Sequence, residues 1–201
     1  MEQMSFFSAG TTRPGLADLA GVLCGPGQLA RSGDAAVRLS VVVAQPWRAD
    51  VLAEEFECRG VPAEVSGVGT SESDHRLVRT PFRDDLLELA RQFSRGAMKA
   101  LPADFRLASR MLRLWVVTCG RPTEGGYLLP LDRRAPDTHR PLLTAFTQVG
   151  LPGRIVGPRG GGPAVRISGR KRLTAFAEML GEPRDAARNS WPGAHIVSRV
   201  G

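Results

Sequence analysis

The alternation of apolar and polar positions divides the chain into short segments of two kinds. Two apolar stretches, Leu19-Ala20-Gly21-Val22-Leu23-Cys24-Gly25-Pro26-Gly27 and Leu112-Arg113-Leu114-Trp115-Val116-Val117-Thr118-Cys119-Gly120, each read as the apolar end of a helix that stops at glycine, the residue that takes positive φ without steric cost. The first of these helices is expected over residues 14–23, with Pro14 near its start and Asp18 in an early turn. Residues 28–31 and 36–44 predict a hairpin turning at Ser32-Gly33-Asp34, with Val37, Leu39, Val41 and Val43 on one face and Arg38, Ser40 and Val42 on the other. Val51, Leu52, Glu55 and Phe56 have helical spacing and predict an amphipathic helix over 47–59. A second hairpin (61–68 and 75–80) and a helix (83–93) follow. Beyond a stretch holding Gly96 and Pro102 the order recurs as a helix (105–118), a hairpin (121–132), a helix (138–149), two strands (151–158 and 164–168) and a helix (170–180) closed by Gly181.

The recurrence extends to residues. Arg59-Gly60-Val61-Pro62-Ala63-Glu64-Val65-Ser66-Gly67 matches Val149-Gly150-Leu151-Pro152-Gly153-Arg154-Ile155-Val156-Gly157, with Phe56 and Phe146 each four residues before the first glycine. Val78-Arg79-Thr80 matches Val165-Arg166-Ile167, and Leu86 matches Leu173. The chain therefore reads as an α+β protein, a duplicated α-β-β-α-β-β-α unit. The repeats are expected at 15–94 and 105–181, with an arm at 1–14 carrying Phe6 and Phe7, a linker at 95–104 and a tail at 182–201. The tail, rich in Pro, Arg and Gly, is expected to be loosely ordered, with Trp191 and Ile196 as docking points. The small residues of Leu19-Ala20-Gly21 let the two opening helices meet at a pseudo-two-fold, and the two sheets then form one concave saddle. Strand alternation turns Arg38, Arg79, Arg154 and Arg166 to its open face.

Charge sharpens that picture. The 201 residues carry a formal net charge of +7, and 25 of the 27 basic residues are arginine. A GC-rich genome accounts for arginine in place of lysine as well as function does, but not for the positive sign. A basic saddle suits the phosphates and groove edges of duplex DNA. Arg159, beside Gly160-Gly161-Gly162, and Arg170-Lys171-Arg172, at a helix start where positive charge opposes the macrodipole, add backbone contacts. The triple glycine lacks the Lys-Ser/Thr of a phosphate loop and reads as a flexible turn. Cys24, Cys58 and Cys119 form no zinc motif, and His75, His139 and His195 are scattered, so neither metal nor cofactor is expected. No apolar run is long enough to span a bilayer, and the N-terminus lacks the basic region of a signal peptide. A cytoplasmic, nucleoid-associated protein is expected.

The stretch from Leu19 to Gly27 resembles the LAGLIDADG motif of homing endonucleases, with Leu-Ala-Gly at its start and Gly at its end. The duplicated unit is similar to the single-chain members of that family. The second half, through Gly120-Arg121-Pro122-Thr123-Glu124-Gly125 and Gly150-Leu151-Pro152, resembles the LAGLIDADG-like domain of the WhiA regulators. It departs from WhiA in that about twenty residues follow with no helix-turn-helix pattern. In the nucleases an acidic residue just before the last glycine of each motif holds divalent metal at the scissile phosphates; here those positions are Pro26 and Cys119. No Asp or Glu occurs between Leu19 and Gly33 or between Phe105 and Thr123. The resemblance therefore implies a non-catalytic, monomeric DNA-binding protein. Such a protein would be a transcriptional regulator acting on duplex DNA, alone or with a transcription factor or RNA polymerase component. Arg38, Arg79, Arg154, Arg159, Arg166, Arg170, Lys171 and Arg172 are its candidate DNA contacts. Two other readings stay open: a protein-interaction module of such a regulator, and an active metal-dependent endonuclease, which the missing acids disfavour.

Overall fold

The computed structural model describes residues 13–69 and 74–193. The arm with Phe6 and Phe7, the tip of the second hairpin, His195 and Ile196 lie outside these residues. The first half runs α1 (Ala20–Cys24), β1 (Gln28–Ser32), β2 (Ala36–Val43), α2 (Pro46–Glu57), β3 (Glu64–Gly67), β4 (Arg76–Arg79) and α3 (Leu87–Phe93). A small hairpin, β5 (Ser94–Arg95) and β6 (Met98–Lys99), separates it from the second half. The second half runs α4 (Ser109–Cys119), β7 (Arg121–Thr123), β8 (Gly126–Pro130), α5 (His139–Gln148), β9 (Arg154–Val156), β10 (Ala164–Ser168) and α6 (Arg170–Leu180). Both halves fold as α-β-β-α-β-β-α, and their antiparallel sheets share one topology, β1-β2-β4-β3 and β7-β8-β10-β9.

Alternation explains the layering. Val37, Leu39, Val41 and Val43 of β2 and Val78 of β4 are buried, as are Tyr127, Leu129, Val165 and Ile167 in the second sheet. These residues face the helices, and their neighbours face away. The matched Gly-(Val/Leu)-Pro units do the same work in each half. Gly60 and Gly150 take φ of 71° and 81°, and the next N–H donates back to a phenylalanine carbonyl, Val61 to Phe56 (3.0 Å) and Leu151 to Phe146 (3.3 Å). That six-to-one bond closes α2 and α5, and the proline that follows forbids their continuation.

The halves meet along α1 and α4. A Cβ on Gly21 would fall 1.9 Å from the Met111 carbonyl oxygen, so only glycine allows this approach. One apolar cluster runs through both halves, from Leu19 and Val22 across Trp115 and Val117 to Phe146 and Phe176.

Several elements differ from expectation. The first helix is a 3-10 turn (Leu16–Leu19) leading into five residues of α1, its start capped by the Asp18 carboxylate, which accepts the Gly15 N–H (3.1 Å). The helix expected from residue 83 begins at Leu87, because Arg83 and Val37 exchange backbone hydrogen bonds (2.8 and 2.9 Å) and extend the sheet instead. The β5–β6 hairpin, turning at Gly96, starts in the last residue of the expected first repeat and fills the first half of the expected linker. The expected flexible turn at 159–162 is a 3-10 turn, Pro158–Gly160, folded against Val156. The tail is packed at least to Gly193: Trp191 is buried, its indole N–H donates to the Gly181 carbonyl (3.0 Å), and the Tyr127 hydroxyl donates to Ser190 (2.8 Å).

Candidate nucleic-acid interface and the motif ends

Strand register places the outward side chains in rows. In the second sheet Arg121 lies opposite Leu128, Leu128 opposite Arg166, and Arg166 opposite Arg154. Three guanidiniums thus share one row across four strands. Arg166 Nη2 donates to the Glu124 carbonyl (2.9 Å), Arg121 Nη2 donates to the Gly161 carbonyl, and the buried Nε of Arg166 has no protein partner. Arg121 is not among the residues that the sequence singles out, because it sits directly after the motif and its strand is only three residues long.

The equivalent row of the first sheet is Gln28, Ser40, Arg79 and Glu64. There Arg79 is 3.1 Å from the Glu64 carboxylate, and Arg38, one row outward, lies over the Phe82 ring, 4.1 Å from its centroid. The structure thus brings Arg154 and Arg166 together and holds Arg38 and Arg79 on the other sheet, each with a partner. Arg159 is exposed on the turn after β9. Arg170, Lys171 and Arg172 are exposed in the first turn of α6, where Arg170 borders a cleft with the β7–β8 turn. These last four surround the sheet and do not lie on its strands.

At the motif ends the space between α1 and α4 is filled. A Cβ on Gly25 would come within 2.9 Å of the Cys119 sulfur and 3.2 Å of the Trp115 ring. Burial pushes the Cys119 thiol up to about 12, with the Arg48 and Lys99 charges only partly opposing it. It is therefore a neutral, weak ligand near pH 7. Pro26 offers only its carbonyl, which accepts from Gln28 Nε2 (3.3 Å). Neither motif side chain suits a hard divalent cation, which needs oxygen ligands.

Two buried side-chain cations stand there instead. Lys99, carried in by the β5–β6 hairpin, donates to the Gly25 carbonyl at the end of α1 (2.9 Å). Its ammonium is 2.6 Å from Asp132, with the two side chains 8% and 7% exposed. Gln28 Nε2 and the Arg134 N–H also donate to the Asp132 carboxylate (2.6 and 2.9 Å). Burial alone would raise Asp132, but these donors outweigh it and hold its carboxyl below the usual range. Burial lowers Lys99, with Asp132 partly restoring it.

Arg48 does the equivalent at α4. It donates to the carbonyls of Val116 (3.1 Å), Val117 (2.7 Å) and Gly120 (2.6 Å), with Gln45 accepting from its Nε (2.7 Å). Positive charge at a helix C-terminus complements the macrodipole and pairs the last carbonyls. Among the described residues no three His, Cys, Asp or Glu side chains converge as a metal site.

Two similar sheets joined by a close helix pair, with the strand order duplicated, can be matched to solved structures. The homing endonuclease I-WcaI bound to its DNA recognition sequence aligns over 81% of this chain and 78% of its own, at a TM-score of 0.63 and 14% identity. The N-terminal LAGLIDADG domain of DUF199/WhiA aligns over 84% of this chain and 81% of its own, at 0.58 and 13% identity. The fold is the LAGLIDADG fold. No family model matches the sequence, and no curated protein is similar to it in sequence. Within the LAGLIDADG fold the two motif helices keep their close approach at Gly21. Their ends carry Pro26 and Cys119 and are closed by Lys99 and Arg48. Lys99 is one of only two lysines and lies in the expected linker, which is its one sequence signal. Arg48, Gln28 and Asp132 carry none, because the bonds that join them across the molecule, Arg48 to Val116 and Gln28 to Asp132, span 68 and 104 residues of chain.

Proposed function

We propose that this protein binds duplex DNA across the outer faces of its two sheets, as a monomer, and does not cut it. The observation that carries the reading is the row of Arg121, Arg166 and Arg154 on the second sheet, with Arg38 and Arg79 on the first. Strand arginines in rows can neutralise phosphates and enter a major groove. The shared fold with an endonuclease held on its recognition sequence supports the same mode of docking. Pro26 and Cys119 support the absence of metal-dependent cleavage, since the first has no side-chain ligand and the second a protonated thiol. A protein that occupies DNA without cutting it acts by occupancy, which fits a transcriptional regulator, alone or with a transcription factor or RNA polymerase component. Among the described residues no helix is long and apolar enough to cross a membrane, which leaves a nucleoid location open to it.

Fluorescence anisotropy with a pool of random duplexes tests the reading. Binding is expected at low salt and falls steeply with added salt, each neutralised phosphate adding about −0.9 to the slope of log K against log salt. Failure to retain any duplex at low salt removes the proposal. Linearisation of supercoiled plasmids in Mg²⁺ or Mn²⁺ would remove its non-catalytic part.

A further inference from the structure

The β5–β6 hairpin leaves an open cleft beside the first sheet. The cleft, of about 390 Å³, lies between β1 and the hairpin, with Leu23, Leu29, Phe93 and Met98 as its apolar walls. Leu23 and Phe93 belong to the core, but Met98 is 60% exposed, more than any other large apolar side chain among the described residues. An unbranched thioether adapts its shape to whatever lies against it, which suits a binding surface. The back of the cleft is fixed, since Gln28 and Lys99 both reach the Asp132 carboxylate (2.6 Å each).

The strand that borders the cleft has a free edge. β1 ends its sheet and pairs with β2 on one side alone, so its other edge offers backbone N–H and C=O groups to a further strand. Leu29 lies opposite Leu39 and Arg31 opposite Val37, both buried toward the helices. Leu29 and Arg31 therefore share the helix side of the sheet, away from the row of Gln28, Ser40 and Arg79. Both line the cleft. Arg31 is exposed, as is Arg95, which lies directly opposite Met98 across the hairpin. Neither arginine has an acidic partner among the described residues, and none of the described residues lining the cleft is acidic.

We propose that this cleft captures an acidic segment of a partner protein as an added strand on β1. A strand laid along that edge sends every second side chain to the same face. The spacing of Leu29 and Arg31 then calls for an apolar residue beside Leu29 and Met98 and an acidic one beside Arg31, two positions apart. In such recognition the main-chain bonds supply affinity and the alternate side chains supply selectivity. An arginine fork matches a carboxylate in charge and geometry, and the fixed back wall lowers the cost of ordering the site. The cleft borders the helix side of the first sheet, so the segment is held while the open face stays free.

Display selection of random linear peptides on the whole chain, followed by anisotropy with the selected peptide, tests this. The selected peptides are expected to carry an apolar and an acidic residue two positions apart. Arg31→Glu sets like charges against each other and is expected to weaken the selected peptide by about tenfold or more. Arg31 is exposed, so this variant is expected to melt with the wild type, and a repeated selection on it is expected to return a basic residue at the acidic position. Methylating the peptide's backbone nitrogens on alternate residues is expected to abolish binding for at least one of the two alternating sets. A peptide that binds Arg31→Glu as tightly as the wild type overturns the inference, because its site lies elsewhere. So does binding that survives methylation of either set, which excludes an added strand. A selection that yields no peptide overturns it too, and single-stranded RNA retained by the wild type but not by Arg31→Glu would then assign the cleft to nucleic acid.

Discussion

Arg48 shows how much a single side chain does at the centre of this molecule. Its guanidinium is buried and pairs three carbonyls at the end of α4, so the helix terminus needs no water there. Arg48→Met keeps the volume and removes the donors. An unsatisfied buried polar group costs about 1–3 kcal/mol, and a loss of about 3 kcal/mol is expected in urea denaturation, with the same fold by circular dichroism. Asp132 gives a pH-dependent counterpart. Its carboxyl is held below the usual carboxylate range in the folded protein, so its contribution is complete above about pH 5 and is lost as pH falls through the folded value. Asp132→Asn is expected to flatten the fall in stability below about pH 4 and to lower stability at pH 7 by about 3 kcal/mol, because Lys99 is left as an unpaired buried charge. Denaturation midpoints of both proteins between pH 3 and pH 8 check this. Equal acid sensitivity in the two would contradict the role given to the pair.

Among the elements, the α1–α4 contact is the joint on which the two sheets depend. Gly21 lets the Met111 carbonyl approach to a distance that any Cβ would forbid. Gly21→Val is expected to cost about 3 kcal/mol, at the upper end of ordinary overpacking, and to lower duplex affinity by misplacing one sheet against the other. Gly21→Ala follows in the same direction by less. If valine were accepted without loss of thermal stability, the close crossing would not hold the halves. The small β5–β6 hairpin is the other element of consequence, since it delivers Lys99 to the end of α1. The sequence shows only Gly96 and Pro102 there and suggests a linker. Two-residue strands have too little periodicity to be seen without their partner.

For the whole molecule, the net charge of +7 sets a salt-dependent attraction to any polyanion, and the strand rows decide where on the surface it is used. Arg166→Ala is expected to lower duplex affinity by about tenfold and to reduce the salt slope by about one unit, whereas Arg91→Ala, on α3 and paired with Glu88, is expected to change neither. Anisotropy titrations at a series of salt concentrations compare the two. Equal effects would mean that net charge, not the sheet face, governs binding.

The order of elements, the duplication and the outward direction of Arg38, Arg79, Arg154 and Arg166 follow from the sequence by itself, because a period of two in strands and a glycine stop after helices are local consequences of backbone geometry. The absence of acids at the motif ends is equally legible, being a matter of residue identity at Pro26 and Cys119. What replaces them is decided only in three dimensions. Lys99, Asp132 and Gln28 come from three separate stretches of chain, and Arg48 reaches a helix in the other half. So too with the row of Arg121, Arg166 and Arg154: register across four strands sets it, and register depends on which strands pair. The physical reason is the same in each case. Local periodicity tells which way a side chain points, but a buried charge or a repelling pair acquires meaning only from the groups that packing brings beside it.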